Sequence, residues 1–566
     1  MQWELSTIYE SENQFVCICT TTQREILDFY EYYKKIKKYE VPQLVECLKR
    51  YELISNEILK AQLYKSLVYY GGNEVDQIEP LLDGLLEQYN EFITPFPLSL
   101  LHHDELRTYL EDPCLVNYSR FLKNLFGEKK YLLDVDSEKI IHLKNTTGYN
   151  AMQQLYLSSL EDAEFFIKGI GRFDYNTLLG YLNVKDEKLR NNAARKLGYF
   201  FKKNNIYFTK LFNFLTQDML IDKRIRNYDS IYESIYSENE VSETDYKLLE
   251  KLVIQNVDIF QRYCEIKAKK MNNGSKWGVS NIHDLSKRIC IEDALDIIVT
   301  AFDNISSEYK NIVTTLFNDS HIDYECREGK QSGAICFAAV PDVRPYVFIN
   351  YSGTISDLFT LGHELGHAVH FATSAKKNSV INYMESNLHT ESVAVFFETL
   401  VCREYLKRSN NSCFALLEVM DNFMGKIYRQ TMNFMFEKRA REYEGYITPE
   451  QMEKEWEILR EQFYSDTVKF GGYEKNNYWS IPHFICEPLL TSVYVFSQII
   501  ALMLVNKLET DDFEKKFHGY LEIGSNNSFM EYLFKEFHIR IDQEKSWQLI
   551  FNELLELLKR LERANE

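Results

Sequence analysis

Residues 356–374 read SDLFTLGHELGHAVHFATS. Apolar residues return at three and four spacings, the period of an amphipathic helix. Residues four apart on a helix lie one turn apart on one face, so the imidazoles of His363 and His367 converge on one point with Glu364 beside it. Asp357 or Ser356 is expected to cap the first amides of this helix. Gly362 and Gly366 thin its flanks where something must approach closely.

This is the H-E-x-x-H arrangement, in which two histidines hold zinc and the glutamate takes a proton from the zinc-bound water. Two surface histidines can match the pattern by chance, so a third ligand is decisive. After a polar loop, SAKKNSVINYMES, the segment NLHTESVAVFFETLV opens a new apolar-periodic helix, with Glu391 placed 28 residues after His363. On an antiparallel neighbouring helix that carboxylate reaches the ion. Glu398 lies two turns further along the same face and suits a partner that orients an imidazole. His389 and Glu385 compete with Glu391 for the ligand position. His370, one turn beyond His367, is read as a structural or supporting residue.

Only 10 prolines and 22 glycines interrupt 566 residues. Long segments such as DYKLLEKLVIQNVDIFQRYCEIKAKK keep helical periodicity, so the chain is mostly α. The texture changes over residues 321–351, where short β-rich runs broken by glycine and proline predict a small sheet just before the HELGH helix. The apolar run from Pro488 to Val505 carries Thr491, Ser492, Ser497 and Gln498 and is read as a buried helix, with no membrane span expected. The basic run YYKKIKKYE at 32–40 is read as a solvated helical face. A net charge of -19 repels a phosphate backbone, which excludes nucleic acid as a partner. Eleven scattered cysteines and an N-terminus without a signal-like apolar stretch point to a reducing, cytoplasmic setting. Weak boundaries near residues 115 and 185 divide the chain into 1–115, 116–185 and 186–566. The oligomeric state is not readable.

GKQSGAICF, then NYSGTISDLFTLGHELGHAVH, TESVAVFFETL and WSIPHF follow in order and spacing. Together they resemble the zinc oligopeptidases of the oligoendopeptidase F and thimet oligopeptidase family, over most of the chain. The segment 186–566 then looks like the catalytic domain, and 116–185 like the family's N-terminal module after a helical region. The resemblance implies a two-lobed, multi-helix zincin of gluzincin type with a deep substrate channel. It implies one zinc ion on His363, His367 and Glu391, with Glu364 as general base, and hydrolysis of internal bonds in short peptides. A peptide held by main-chain hydrogen bonds adds itself to an exposed sheet edge. SGAICFA is the expected edge, with Gly333 and Ala334 leaving room for a backbone. His483 matches the family histidine that contacts bound peptide near the metal, and is expected to stabilise the oxyanion. After PHF the family runs on rich in tyrosine, whereas this chain reads ICEPLLTSVYVF and keeps only Tyr494; Leu490 and Ser492 stand where phenols are expected. Tyr473 or Tyr478, from the loop GGYEKNNY, is the reserve donor. A peptide-binding or regulatory protein on the same scaffold, and a zinc carboxypeptidase, are the alternative readings.

Overall fold

The computed structural model describes residues 3–184, 186–272, 288–327, 330–331, 333–383, 385–464 and 473–564. Several of its helices start where a side-chain oxygen accepts from a free amide. Asp186 caps the 40-residue helix Glu187–Arg226, which ends at Asn227 in the left-handed region (φ 55°) after Lys223, Arg224 and Arg226. Apolar faces then gather into two buried clusters. One runs from Ile8 to Phe126 and takes in Val340, Val343, Tyr346 and Val380. The other runs from Tyr156 to Leu561 and contains the core-facing residues of the HELGH helix. These are the two lobes.

A three-stranded sheet lies between them. Tyr346–Ile349 is central, parallel to Ile322–Asp323 on one side and antiparallel to Ala334–Phe337 on the other, with Ala334 opposite Ile349 and Cys336 opposite Val347. All four central residues are buried, because the pleat sends alternate side chains to different lobes. Tyr346 joins the first cluster while Val347 and Ile349 join the second. Ala334–Phe337 is an edge strand among the described residues.

Behind the sheet, the helix Ile355–Ser374 packs along Asn387–Arg408, which packs in turn on Leu490–Val505. Nearly every side chain of that last helix is buried, and no helix among the described residues is long and apolar enough to cross a membrane. All eleven cysteines are free thiols.

Two local expectations need correction, and one helical segment resolves into two helices. The HELGH helix is capped by neither Ser356 nor Asp357. Thr354 accepts from the Asp357 amide at 3.0 Å while Asp357 accepts from the Thr354 amide at 3.1 Å, so Asp357 is the reciprocal half of a capping box. The basic run at 32–40 exposes its lysines, but from the turn after the helix Glu12–Tyr33, and Tyr39 is buried against His103. The helical stretch 245–270 is two helices, Glu243–Gln255 and Val257–Asn272, broken at Asn256.

Candidate metal centre

Glycine explains how a third ligand reaches the histidines. A Cβ on Gly362 would meet Val401 Cγ2 at 2.8 Å, and one on Gly366 would meet Phe397 Cβ at 2.9 Å and Ala394 Cα at 3.1 Å. Both neighbours belong to Asn387–Arg408, which therefore lies against the HELGH helix at a distance no other residue permits. That helix begins at Asn387 under a Ser386 cap, one turn before Glu391.

His363 Nε2 lies 3.3 Å from Glu391 Oε2, and His367 Nε2 lies 3.7 Å from Glu391 Oε1. The donors of all three lie within 4.8 Å of one another. Ligands about 2.0–2.1 Å from a tetrahedral zinc stand roughly 3.3 Å apart, so these separations fit one ion. Glu391 Oε2 is buried with no hydrogen-bond partner, as expected of an atom built to face a cation. The side chains of His363, His367 and Glu391 keep 14%, 12% and 16% exposure, which leaves one side of the point open.

The carboxylate two turns on has the orienting place. Glu398 Oε2 lies 3.0 Å from His363 Nδ1, so the Nδ1–H points at Glu398 and the Nε2 lone pair points at the metal position. Sequence reasoning missed what holds Glu398. Asn422 donates to its Oε1 at 2.5 Å, and Lys426 donates to the same oxygen and to Asn422 Oδ1 at 2.9 Å. Lys426 sits in a single π-helical turn, Gly425–Arg429, a distortion that periodicity does not announce. Burial alone would raise Glu398, but the Lys426 charge and His363 draw it down to about 2.

Electrostatics divide the carboxylates by role. Glu391 is held well below the usual carboxylate range, since the His363 and His367 imidazoles beside it overcome its burial. Glu364 moves the other way, raised by burial against the opposing charges of the two histidines. The Cys336 amide of the edge strand lies near enough to draw it slightly back down. Burial lowers His363 as well, yet the carboxylates of Glu391 and Glu398 on either side of it lift it to about 10, so an entering cation displaces a proton.

The structure also brings His483 and Tyr494 to this centre. Their rings are 6.0 Å apart. His483 opens the short helix His483–Cys486, is lowered by burial, and feels the Glu391 charge. Tyr494 is raised well above its ordinary value by burial and then by Glu391, Glu487 and Glu364. Gly333 stands at φ 92° with open space around its Cβ position, and Ala334, partly exposed, starts the edge strand.

Tyr473 and Tyr478 are not available as mobile donors. Tyr478 is fully buried, its hydroxyl 3.1 Å from Asn205 Oδ1 and its ring among Phe436, Trp456 and Trp479. Tyr473 is buried beside Phe201. Glycines 471 and 472 of that loop lie outside the described residues. Leu490 and Ser492, at the expected phenol positions, are both buried. Glu385 and His389 do not join the HELGH pair; they meet His370 instead.

A helix-borne HExxH pair, completed by a glutamate from the adjacent helix and flanked by an edge strand, defines a metallopeptidase. The model described as Peptidase family M3 matches residues 181–553, and the one described as Oligopeptidase F matches residues 98–165. The chain belongs to peptidase family M3. It is 24% identical to an oligoendopeptidase F homolog of Borreliella burgdorferi over 93% of this chain and 92% of the relative. It is 23% identical to the plasmid oligoendopeptidase F of Lactococcus lactis subsp. cremoris, over 100% and 98%. The crystal structure of oligoendopeptidase-F from Enterococcus faecium superposes with a TM-score of 0.72 at 16% identity, over 99% of each chain.

Proposed function

We propose that this metallopeptidase is a zinc endopeptidase of short oligopeptides, with His363, His367 and Glu391 holding one ion. The observation that carries the ligand set is the convergence of two imidazole nitrogens on one carboxylate, whose Oε2 is buried without a hydrogen-bond partner. Two nitrogens and one carboxylate oxygen are a zinc-class donor set that leaves a fourth position open. When bound, zinc supplies Lewis acidity to the attacking water and to the peptide carbonyl.

This chain's own residues do the rest. Glu364 takes the proton of the attacking water, and its raised pKa suits handing that proton on to the departing amine. Glu398 fixes the tautomer of His363. His483, kept neutral at pH 7 by burial, retains an N–H to donate to the oxygen on which charge develops. Tyr494 lines the same side. The peptide lies along Ala334–Phe337 as an added strand, started at Gly333, close to the strand's contact with Glu364. Restriction to short peptides follows the oligopeptidases to which the chain is related. The acidic charge and free thiols support a cytoplasmic protein that binds no nucleic acid.

The test is a mixed peptide library, digested by metal-loaded protein and read by mass spectrometry. We expect internal cleavage with an upper limit on peptide length, abolished by a chelator and restored by zinc. Stepwise loss of C-terminal residues would make the protein a carboxypeptidase, and peptide retention without products would make it a binding protein.

A further inference from the structure

The HELGH helix carries a third histidine that the reaction does not use. His370 is buried, and neither of its ring nitrogens has a hydrogen-bond partner. Its Nε2 lies 3.1 Å from Glu385 Oε2, and His389 Nδ1 lies against the same oxygen. Glu385 Oε2 is likewise buried without a hydrogen bond. The three donor atoms therefore converge on one small volume. His363, His367 and Glu391 show the same signature one turn away.

We propose that His370, Glu385 and His389 form a second metal site, for a divalent ion of the zinc class. The donor set is again two imidazole nitrogens and one carboxylate oxygen, all within 4.8 Å of one another. The surrounding bonds are those that ligands need. His389 turns its other nitrogen, Nε2, to the Tyr520 carbonyl at 3.1 Å, which leaves Nδ1 as the donor. Ser374 Oγ donates to Glu385 Oε1 at 3.2 Å and is itself held by Asn378 at 3.0 Å, which leaves Oε2 for the ion. The set pairs one carboxylate with two imidazoles, as the first site does. The three side chains are at most 2% exposed, so stripping them of water without a cation costs stability that a metal recovers.

An ion also has a way in. A cavity of about 640 Å³ between the lobes is lined by Glu385, Ser386 and His389 but not by His370, so an ion would approach from the Glu385 and His389 side. The bound ion ties three pieces of chain together: the end of the HELGH helix, the segment at Glu385, and the first turn of the helix that bears Glu391. Its role is to fix Glu391 from behind.

The experiment uses full-length protein stripped by a chelator, dialysed, and titrated with zinc alone, with bound metal counted by elemental analysis. Two equivalents are expected for the wild type, one for Glu391→Ala, one for Glu385→Gln, and none for the double variant. Cobalt in place of zinc should give Glu391→Ala the visible absorption of a tetrahedral site. One equivalent in the wild type overturns the proposal even if both variants misfold. So does a folded Glu391→Ala protein that binds no metal.

Discussion

Glu364 and Glu391 are carboxylates beside the same two histidines, yet burial wins at one and the neighbouring imidazoles at the other. That difference separates base from ligand, and two substitutions test it. Glu364→Gln should keep zinc and fold but lose at least roughly 100-fold in kcat, because the amide cannot accept the water's proton; undiminished turnover would contradict the assignment. Glu391→Ala should lose far more zinc than Glu398→Ala, since a ligand outweighs the group that aims one. Equal metal content in the two variants would show that the wrong carboxylate was chosen. His483→Ala should cut kcat by about 100-fold, the equivalent of roughly 3 kcal/mol, without changing metal content. Tyr494→Phe should cost less, because its helix is anchored in the core and only part of the ring is exposed to the cleft. Full activity in the His483 variant would remove this segment from the chemistry.

Between elements, the decisive contact is the one the two glycines permit. Gly366→Ala sets two effects against each other: a gain of up to about 1 kcal/mol in helix propensity and an overpacking cost of about 1–3 kcal/mol. Overpacking should win, because the added carbon meets Ala394 Cα and Phe397 Cβ, backbone and side-chain root that cannot swing away. Denaturant unfolding should show a loss of stability, with weaker zinc binding as Glu391 is pushed back. Gly127→Ala, on a helix with nothing within 4 Å of the new carbon, should be neutral or stabilising; an equal loss at both positions would refute the packing argument. The same contact marks what the sequence could and could not show. Convergence of His363 and His367 is local helix geometry, and the edge strand announced itself through glycine and alternating β-formers. The support for Glu398 was hidden, since Lys426 depends on a π-turn that shifts its direction. Tyr478 was misjudged for a related reason: a glycine-rich approach suggested a loop, but Phe436, Trp456 and Trp479 enclose its ring from distant segments.

At the scale of the whole molecule, the two lobes meet at the sheet, and the N-terminal lobe holds the sheet from the side away from the metal. Trp3 donates to the Val347 carbonyl at 3.3 Å, and the Tyr346 hydroxyl donates to the Glu4 carbonyl at 2.8 Å. Tyr70 places its ring 5.2 Å from Phe337 and 5.4 Å from Phe348, both edge-on. Phe337 belongs to the edge strand, whose Cys336 amide lies beside Glu364. Tyr70 is therefore a brace behind the strand proposed to receive the peptide, set on a lobe that contributes no metal ligand. Removing it with Tyr70→Ala takes away two aromatic pairs, each about 0.5–1.5 kcal/mol beyond the buried area, which should lower Tm. It should also raise KM several-fold, because a loosened edge strand pairs less well with an incoming backbone, while zinc content stays unchanged because His363, His367 and Glu391 lie on helices of the other core. Thermal unfolding, elemental analysis and steady-state kinetics on one peptide separate the three effects. A lowered Tm with unaltered KM would mean that the strand holds the lobes together without holding the substrate.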